Sequence, residues 1–269
     1  MQLLVSVAGP AEARAALRGG ADVIDAKDPR HGTLGPVPLH GLAAIGAAVG
    51  GTRPLSAALG DAASEEAVAA AVAAAASVGV AFVKVGFAGV TSAARARRLA
   101  VAAQRKAAGV GGTRLVLVAY ADWSHVESLA PARVVAVAAD AGAAGVLLDT
   151  ARKTAPLFAI ESPASVGAWV VAAHTAGLFA ALAGGLSGSD FASARSLGAD
   201  LVGVRGAACV GGRTGRVSRT RVAVLRALTG AAPPPRVPVG RGVLPQRDVE
   251  LSQIVRGHDE VLHAPRQRA

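Results

Sequence analysis

The sequence predicts a single (β/α)8 barrel of the TIM type with a proline-rich C-terminal tail. Short runs rich in β-forming apolar residues alternate with alanine-rich helical stretches, and this alternation repeats about eight times before Gly230. Eight such units in roughly 230 residues match the size of one barrel domain. The main alternative is an open, doubly wound sheet, but no G-x-G-x-x-G motif follows the first candidate strand, so the barrel is favoured.

The candidate strands are short and apolar. They comprise residues 3–6, 22–27, 54–59, 81–86, 115–120, 145–149, 178–183 and 201–205. Helix signals lie between them, and the clearest begins at Ser64, a favourable N-cap residue. Glu65 and Glu66 follow in the positive first turn, and Gly79 is the expected stop. The order of elements is therefore strand, helix, strand along the whole barrel.

The composition changes after Gly230. Residues 231–235 read Ala-Ala-Pro-Pro-Pro, and the stretch from there to Ala269 is polar and rich in arginine. Such a proline-rich segment favours a semi-rigid linker. We therefore predict a catalytic barrel domain at 1–230 and a poorly ordered tail at 231–269, with one short helix near 249–256.

The composition excludes several classes of protein. With 52% apolar and 17% charged residues the chain is too hydrophobic for intrinsic disorder, and one cysteine excludes a disulfide framework. The net charge of +10 raises a nucleic-acid hypothesis, but the arginines are dispersed and aromatic residues make up only 3%, so we expect no nucleic-acid partner. The uncharged segment 162–189 is interrupted by Gly, Pro and Ser, which predicts helix, turn and strand and no membrane partner.

The remaining class predictions concern compartment, assembly and cofactors. No positively charged segment precedes an apolar run at Met1, and one cysteine suits a reducing compartment, so we expect a cytoplasmic protein. The histidines form no H-x-x-H or H-E-x-x-H motif, which predicts no metal site. We also expect a homo-oligomer.

Lysines carry the strongest functional signal. The 28 basic residues include four lysines, and Lys106 lies in an ordinary candidate helix. Lys27 and Lys84 end candidate strands two and four, and Lys153 follows strand six, so all three converge on the active face of a barrel. Lysine, unlike arginine, can lose its proton when burial or neighbouring cations lower its pKa, which favours Schiff-base or proton-transfer chemistry. Simple phosphate binding and chance are the alternatives.

Two carboxylates accompany these lysines. Asp25 and Lys27 are two positions apart in strand two and so share a face, roughly 7 Å apart along the strand. Asp149 ends strand six, four residues before Lys153. A carboxylate beside an amine can orient it, move its proton or stabilise an iminium ion. A buried structural ion pair is the alternative for both carboxylates.

Small residues follow the last two candidate strands, where barrels of this type usually bind phosphate. The candidate phosphate-binding residues are Gly184, Gly185, Ser187, Arg205, Gly206 and Ala207. Their position predicts a phosphorylated substrate. A further glycine-bearing loop, residues 31–35, follows strand two and is a candidate lid. Cys209, which follows strand eight, is interpreted as a packed side chain and not as a nucleophile.

These motifs together resemble the (5-formylfuran-3-yl)methyl phosphate synthase family, also called 4-(hydroxymethyl)-2-furancarboxaldehyde-phosphate synthase, which acts in methanofuran biosynthesis. The resemblance runs from Leu3 to about Arg216 and includes Asp25 with Lys27 and residues 83–86, 148–150 and 202–209. It implies a phosphate-binding barrel that condenses two molecules of glyceraldehyde 3-phosphate, releasing phosphate and water, without a metal or organic cofactor.

The resemblance also implies roles for individual residues. Lys27 matches the family's Schiff-base lysine and Lys84 its proton acceptor, while Asp25, Asp149 and Lys153 match its other charged pocket residues. Two alternatives stay open. A class I aldolase or sugar-phosphate isomerase would use the same lysine and phosphate sites, and a non-catalytic phosphosugar sensor would bind a triose phosphate without turnover and dock a partner through its tail.

Overall fold

Eight parallel strands close into a barrel in the computed structural model, which describes residues 1–230. Each strand pairs with the next along the chain, and β8 returns to pair with β1. The strands are β1 (Gln2–Val7), β2 (Val23–Ala26), β3 (Leu55–Asp61), β4 (Phe82–Gly86), β5 (Arg114–Tyr120), β6 (Gly145–Asp149), β7 (Phe179–Leu182) and β8 (Leu201–Val204). The predicted barrel is confirmed, and the doubly wound alternative is wrong.

Helices cover the outside of the barrel. They are α1 (Pro10–Arg18), α2 (Leu39–Val49), α3 (Glu65–Ala76), α4 (Ala93–Gly109), α5 (Pro131–Ala141), α6 (Leu157–Ile160), α7 (Pro163–Thr175), α8 (Phe191–Ser196) and α9 (Arg219–Leu228). The predicted start of α3 is confirmed, because the Ser64 hydroxyl accepts a hydrogen bond from the Ala67 N–H. The helix ends at Ala76, shortly before Gly79, whose φ of +82° suits a turn.

The strands separate two apolar cores by their alternating side chains. Outward-facing residues such as Ile24 and Val83 belong to the larger core between strands and helices, and inward-facing residues such as Val23 and Phe82 fill the barrel. Phe82 meets Phe179 edge to face, with ring centroids 5.7 Å apart, and the Arg114 guanidinium lies 4.4 Å from the Phe82 ring centre. This packing closes the N-terminal end of the barrel and leaves the other end for polar groups.

The uncharged segment 162–189 contains α7 and β7, as its glycine and proline residues predicted. No helix within residues 1–230 is long and apolar enough to cross a membrane. Beyond β8, the short strands β9 (Cys209–Val210) and β10 (Arg216–Val217) form an antiparallel hairpin. The Cys209 side chain is buried, as expected for a packed residue. The tail at 231–269, with its predicted short helix, lies outside the described residues, and the domain boundary stays a prediction.

Candidate active site

A cavity of about 350 Å³ lies at the C-terminal ends of the barrel strands, where the sequence places the active face. The structure brings most of the candidate residues to its wall. Those that line it are Lys27, Lys84, Asp149, Lys153, Gly184, Gly185, Arg205, Gly206 and Ala207. Asp25 lies beside the cavity in contact with Lys84, and Ser187 does not line the cavity.

Lys84 and Asp25 form a buried ion pair inside the barrel. The Lys84 Nζ lies 2.7 Å from the Asp25 Oδ2, and the two side chains are 4% and 0% exposed. The Ser6 hydroxyl donates a second hydrogen bond to the same Oδ2, at 2.8 Å. Since β3 lies between β2 and β4, the Lys84 side chain must pass over β3, where its register partner is the small Ala58. The pair holds the Lys84 ammonium in one position.

Lys27 lies just beyond the end of β2, 8% exposed and at the cavity wall. Within residues 1–230 its ammonium makes no ion pair at hydrogen-bonding distance, because Asp25 is engaged by Lys84 and Asp149 by Lys153. Burial, with a smaller contribution from the Lys84 charge, lowers the pKa of Lys27 from 10.5 to about 8, against the opposing charge of Asp149. Lys27 therefore holds a substantial neutral fraction near physiological pH.

Asp149 and Lys153 form the second ion pair of the cavity. The Lys153 Nζ lies 2.7 Å from the Asp149 Oδ1, and it also donates to the Thr150 carbonyl. Burial alone would raise the pKa of Asp149, but the charges of Lys153 and Lys27 hold it below its ordinary value. Asp149 is therefore a carboxylate that faces both amines.

The loop after β7 brings backbone close to the cavity. Gly184 and Gly185 have φ values of +96° and +67°, and a Cβ at Gly184 would lie 2.9 Å from the Thr150 Cγ2. Glycine is therefore required for the chain to pass here. The Ser187 hydroxyl instead donates to the Asp190 carboxylate at 2.9 Å, at the start of a short helical turn. The structure thus gives no support to Ser187 as a phosphate ligand, because its side chain is committed to this cap.

The Arg205 guanidinium lies at the cavity wall, but its N–H groups donate hydrogen bonds to other parts of the protein. It binds the Glu12 carboxylate at 2.8 Å and donates to the carbonyls of Ser6 at 2.9 Å, Arg213 at 2.8 Å and Gly215 at 3.2 Å. These bonds tie the loop after β8 to the end of β1. Arg205 is therefore poorly placed to bind phosphate with its side chain, whereas its neighbours Gly206 and Ala207 line the cavity with small residues.

Arg213, in the hairpin between β9 and β10, is a candidate that the sequence interpretation missed. Its side chain lines the cavity and donates to the carbonyls of Pro29 and Gly32, the latter at 2.6 Å. Thr33 ties the same loop to the Ala151 carbonyl at 2.7 Å, so the candidate lid is held at two points. The sequence signal that could have identified Arg213 is an arginine among the glycines that follow the last strand.

Two serines were also missed. Ser6 on β1 and Ser56 on β3 are buried, and both line the cavity. Their signal in the sequence is weak, because each is one small polar residue in an otherwise apolar strand. Period-two alternation from the inward-facing positions would have placed them on the inner face.

Comparison with known proteins identifies the family of this barrel. A family model described as 4-HFC-P synthase matches residues 3–226. The chain is 41% identical to the (5-formylfuran-3-yl)methyl phosphate synthase of Methanopyrus kandleri, covering 80% of this chain and 92% of that one. It is 36% identical to the enzyme of the same name from Methanocaldococcus jannaschii, covering 85% and 99%.

Among solved structures, orotidine 5'-phosphate decarboxylase from Pyrococcus horikoshii shares the fold, with a TM-score of 0.59 at 14% identity over 86% of this chain and 100% of that one. That likeness supports the barrel architecture alone. The family match, which covers nearly all of the described residues, supports more. The chain belongs to the 4-HFC-P synthase family of enzymes.

Proposed function

We propose that this enzyme condenses two molecules of glyceraldehyde 3-phosphate into (5-formylfuran-3-yl)methyl phosphate, with loss of phosphate and water, through a Schiff base on Lys27. The observation that carries the proposal is the state of Lys27, a buried amine whose pKa is lowered to about 8. A neutral amine attacks carbonyl carbon, and it does so here in a cavity large enough for a phosphorylated triose. The names of the relatives supply the identity of the product.

The chemistry balances without an external oxidant or reductant. One triose phosphate isomerises to its ketone form, and the Lys27 amine adds to that carbonyl and expels water to give an iminium ion. Lys84 removes the adjacent carbon-bound proton to give an enamine, which attacks the aldehyde of the second triose phosphate. Elimination of phosphate, ring closure and dehydration give the aromatic furan and release Lys27.

The ion pairs support the proton transfers in this scheme. Lys84 can accept a proton from carbon only after giving one up, and the Asp25 carboxylate 2.7 Å away is a ready acceptor. The Asp149 carboxylate stabilises positive charge on the Lys27 iminium ion, and Lys153 supplies positive charge for a phosphate or leaving group. The contacts and charges of these residues at and beside one cavity support the proposed roles.

The backbone at Gly184, Gly185, Gly206 and Ala207 is the proposed phosphate cradle, because small residues let N–H groups approach an anion closely. Arg213 replaces Arg205 as the proposed positive side chain of this region. A cytoplasmic location, a homo-oligomeric state and the absence of a metal or organic cofactor stay predictions.

Covalent trapping tests the Schiff base directly. Borohydride added during incubation with glyceraldehyde 3-phosphate is expected to leave an adduct that peptide mapping assigns to Lys27, and mass spectrometry is expected to detect the furan phosphate in the untrapped reaction. Lys27→Arg keeps the charge but cannot form an imine, so both signals disappear. Lys84→Arg abolishes the furan yet retains some adduct, because proton abstraction follows imine formation. Lys106→Arg, at an exposed position of α4, is the matched control and retains both signals.

Product analysis separates the alternatives. A class I aldolase or isomerase would consume the triose phosphate without producing a furan, and a sensor would bind it without turnover. An adduct on Lys84 or Lys153 would reassign the roles while preserving the Schiff-base class. Near-normal furan production by Lys27→Arg would contradict the mechanism.

A further inference from the structure

Two polar side-chain atoms on the inner face of the barrel are buried without a hydrogen-bond partner among residues 1–230. They are the Asp25 Oδ1 and the Ser56 Oγ. Their residues are 0% and 1% exposed. Burying polar groups without a partner is costly, so folded proteins seldom retain them unless a ligand or solvent molecule completes the bonding.

The two atoms belong to neighbouring positions on the inner face of the barrel. Strand register pairs Ser6 with Asp25 across β1 and β2, and Asp25 with Ser56 across β2 and β3. Asp25 is therefore flanked by a serine on each side. Ser6 uses its hydroxyl to bind the Asp25 Oδ2, which also receives Lys84, whereas Ser56 makes no such bond. One carboxylate oxygen is thus doubly bonded and the other is left for a different partner.

Ser56 also lines the cavity, together with Ser6, Lys27 and Lys84. Asp25 is the register partner of Ser56 and binds Lys84, so the two atoms that lack a partner within residues 1–230 belong to adjacent positions at the cavity wall. The inner residues below them are apolar, with Phe82 and Phe179 among them. These apolar residues also line the cavity, so the polar pair lies above an apolar lower wall.

The donor and acceptor properties of the pair select one kind of ligand group. A carboxylate oxygen only accepts hydrogen bonds, while a serine hydroxyl both donates and accepts. An incoming hydroxyl group can donate to Asp25 and accept from Ser56, which satisfies both atoms. A phosphate group would be repelled by the Asp25 charge, and a carbonyl oxygen has no hydrogen to donate.

We propose that Ser56 and Asp25 form a hydroxyl-binding subsite at the wall of the cavity, which holds one hydroxyl group of the bound triose phosphate. The identity of the substrate rests on the proposed function, whereas the selectivity for a hydroxyl group rests on the two unpartnered atoms. The subsite fixes the triose backbone relative to Lys27 and Lys84, and Ser56 acts as a substrate-binding residue.

Ser56→Ala tests the subsite because it removes a single atom. Ser128→Ala is the matched control, since the Ser128 Oγ is also buried without a partner among residues 1–230, but Ser128 does not line the cavity. Removing an unpartnered buried hydroxyl is expected to leave the melting temperature of either variant unchanged or raised. Melting curves thus separate a folding effect from a binding effect.

Binding is measured by calorimetry with three non-reacting probes: glycerol 3-phosphate, 1,3-propanediol monophosphate, which lacks the central hydroxyl, and 1,2-propanediol 1-phosphate, which lacks the terminal one. Wild type and Ser128→Ala are expected to bind glycerol 3-phosphate about tenfold more tightly than one of the deoxy probes. Ser56→Ala is expected to show a clearly smaller preference, because the hydroxyl group of the ligand loses its Ser56 partner and keeps only Asp25. The deoxy probe that wild type binds more weakly than glycerol 3-phosphate shows which hydroxyl group the subsite holds.

Two outcomes would overturn the subsite. Unchanged probe preference in Ser56→Ala would show that Ser56 does not contact the ligand, and an equal loss for all three probes would show that it binds only a structural water. These tests are independent of the proposed function, which fails if wild type forms no furan phosphate. If Ser56→Ala alters the probe preference but wild type forms no furan phosphate, the subsite stands and the proposed reaction is rejected. If wild type forms furan phosphate but Ser56→Ala leaves the preference unchanged, the reaction stands and the subsite is rejected.

Discussion

The Lys84 ammonium reaches across β3 to the Asp25 carboxylate, 2.7 Å away, and both side chains are almost completely buried. Each charge is therefore stabilised mainly by the other. Breaking such a pair by neutralising one member is far more damaging than replacing both, because an uncompensated buried charge remains. The pair thus couples the proposed proton acceptor to the stability of the barrel.

Asp25→Asn is expected to lower the free energy of unfolding at pH 7 by about 3 kcal/mol, because the Lys84 ammonium loses its counter-charge. Urea denaturation measures the change. Asp140→Asn is the control, since Asp140 pairs with Arg97 at 3.6 Å on the surface, where both side chains are more than half exposed. That variant should change stability by less than about 1 kcal/mol. Equal effects in the two variants would mean that burial of the Lys84 pair contributes nothing.

The pH dependence of kcat/KM is expected to report the deprotonation of Lys27. With a pKa of about 8, the neutral fraction of the amine rises about tenfold between pH 7 and pH 10 and levels off above pH 9. Steady-state rates with glyceraldehyde 3-phosphate over this range test it, and the substrate phosphate is already dianionic there. A rate that still rises about eightfold between pH 9 and pH 10 would indicate a lysine with its ordinary pKa.

Lys27→Met is expected to abolish turnover while stabilising the fold. The unfolded chain holds the Lys27 proton up to about pH 10.5 and the folded chain releases it at about 8, so the charged amine opposes folding at neutral pH. The variant should gain up to about 3 kcal/mol at pH 7. Its advantage should shrink above pH 8, because wild type becomes more stable as the folded-state amine deprotonates.

Urea denaturation at pH 7 and pH 10 measures this difference for the Lys27 variant. Lys106→Met, at an exposed position of α4, should match wild type at both values. A Lys27→Met protein that is less stable than wild type at pH 7 would show that the buried amine contributes to stability.

Arg213→Ala is expected to raise KM for glyceraldehyde 3-phosphate about tenfold, because it removes a positive charge from the cavity and frees the loop that its guanidinium holds at Pro29 and Gly32. Inhibition by inorganic phosphate should weaken in parallel. Arg216→Ala is the control, being exposed in the same hairpin. Unchanged phosphate inhibition in Arg213→Ala would exclude a role in anion binding.

A variant that ends at Gly230 is expected to melt within about 2 °C of the full chain and to retain the fold, because β8 already pairs with β1 and α9 contacts α1. Differential scanning calorimetry measures this. Loss of soluble protein would show that residues 231–269 contribute to folding, which would contradict the predicted domain boundary.

The positions of the strands could be predicted because a barrel repeats one simple pattern. The convergence of Lys27, Lys84 and Lys153 followed from their places at strand ends, since parallel strands of a barrel share one C-terminal face. Their partners could not be predicted. Alternation placed Asp25 on the face of Lys27, but the carboxylate binds Lys84, whose long side chain spans two strand spacings over the small Ala58.

The arginines show a second limit of sequence reasoning. Arg205 and Arg213 both follow β8, and nothing local distinguishes a phosphate ligand from a structural cation. Arg205 is a structural cation because Glu12, 193 residues earlier in the chain, binds its guanidinium. Such long-range competition for one charge is visible only once the barrel has closed.

The closure of the barrel also determines when, during synthesis of the protein, the active site can form. Asp25 is held by the Ser6 hydroxyl, and the Ser6 carbonyl is held by Arg205, a residue that leaves the ribosome 199 positions later. One edge of β1 therefore stays unpaired until β8 has been synthesised. Long-range contacts of this kind form slowly. A nascent chain or proteolytic fragment that stops before Arg205 lacks this support for Asp25, so catalytic competence should arise late, as the final strand emerges.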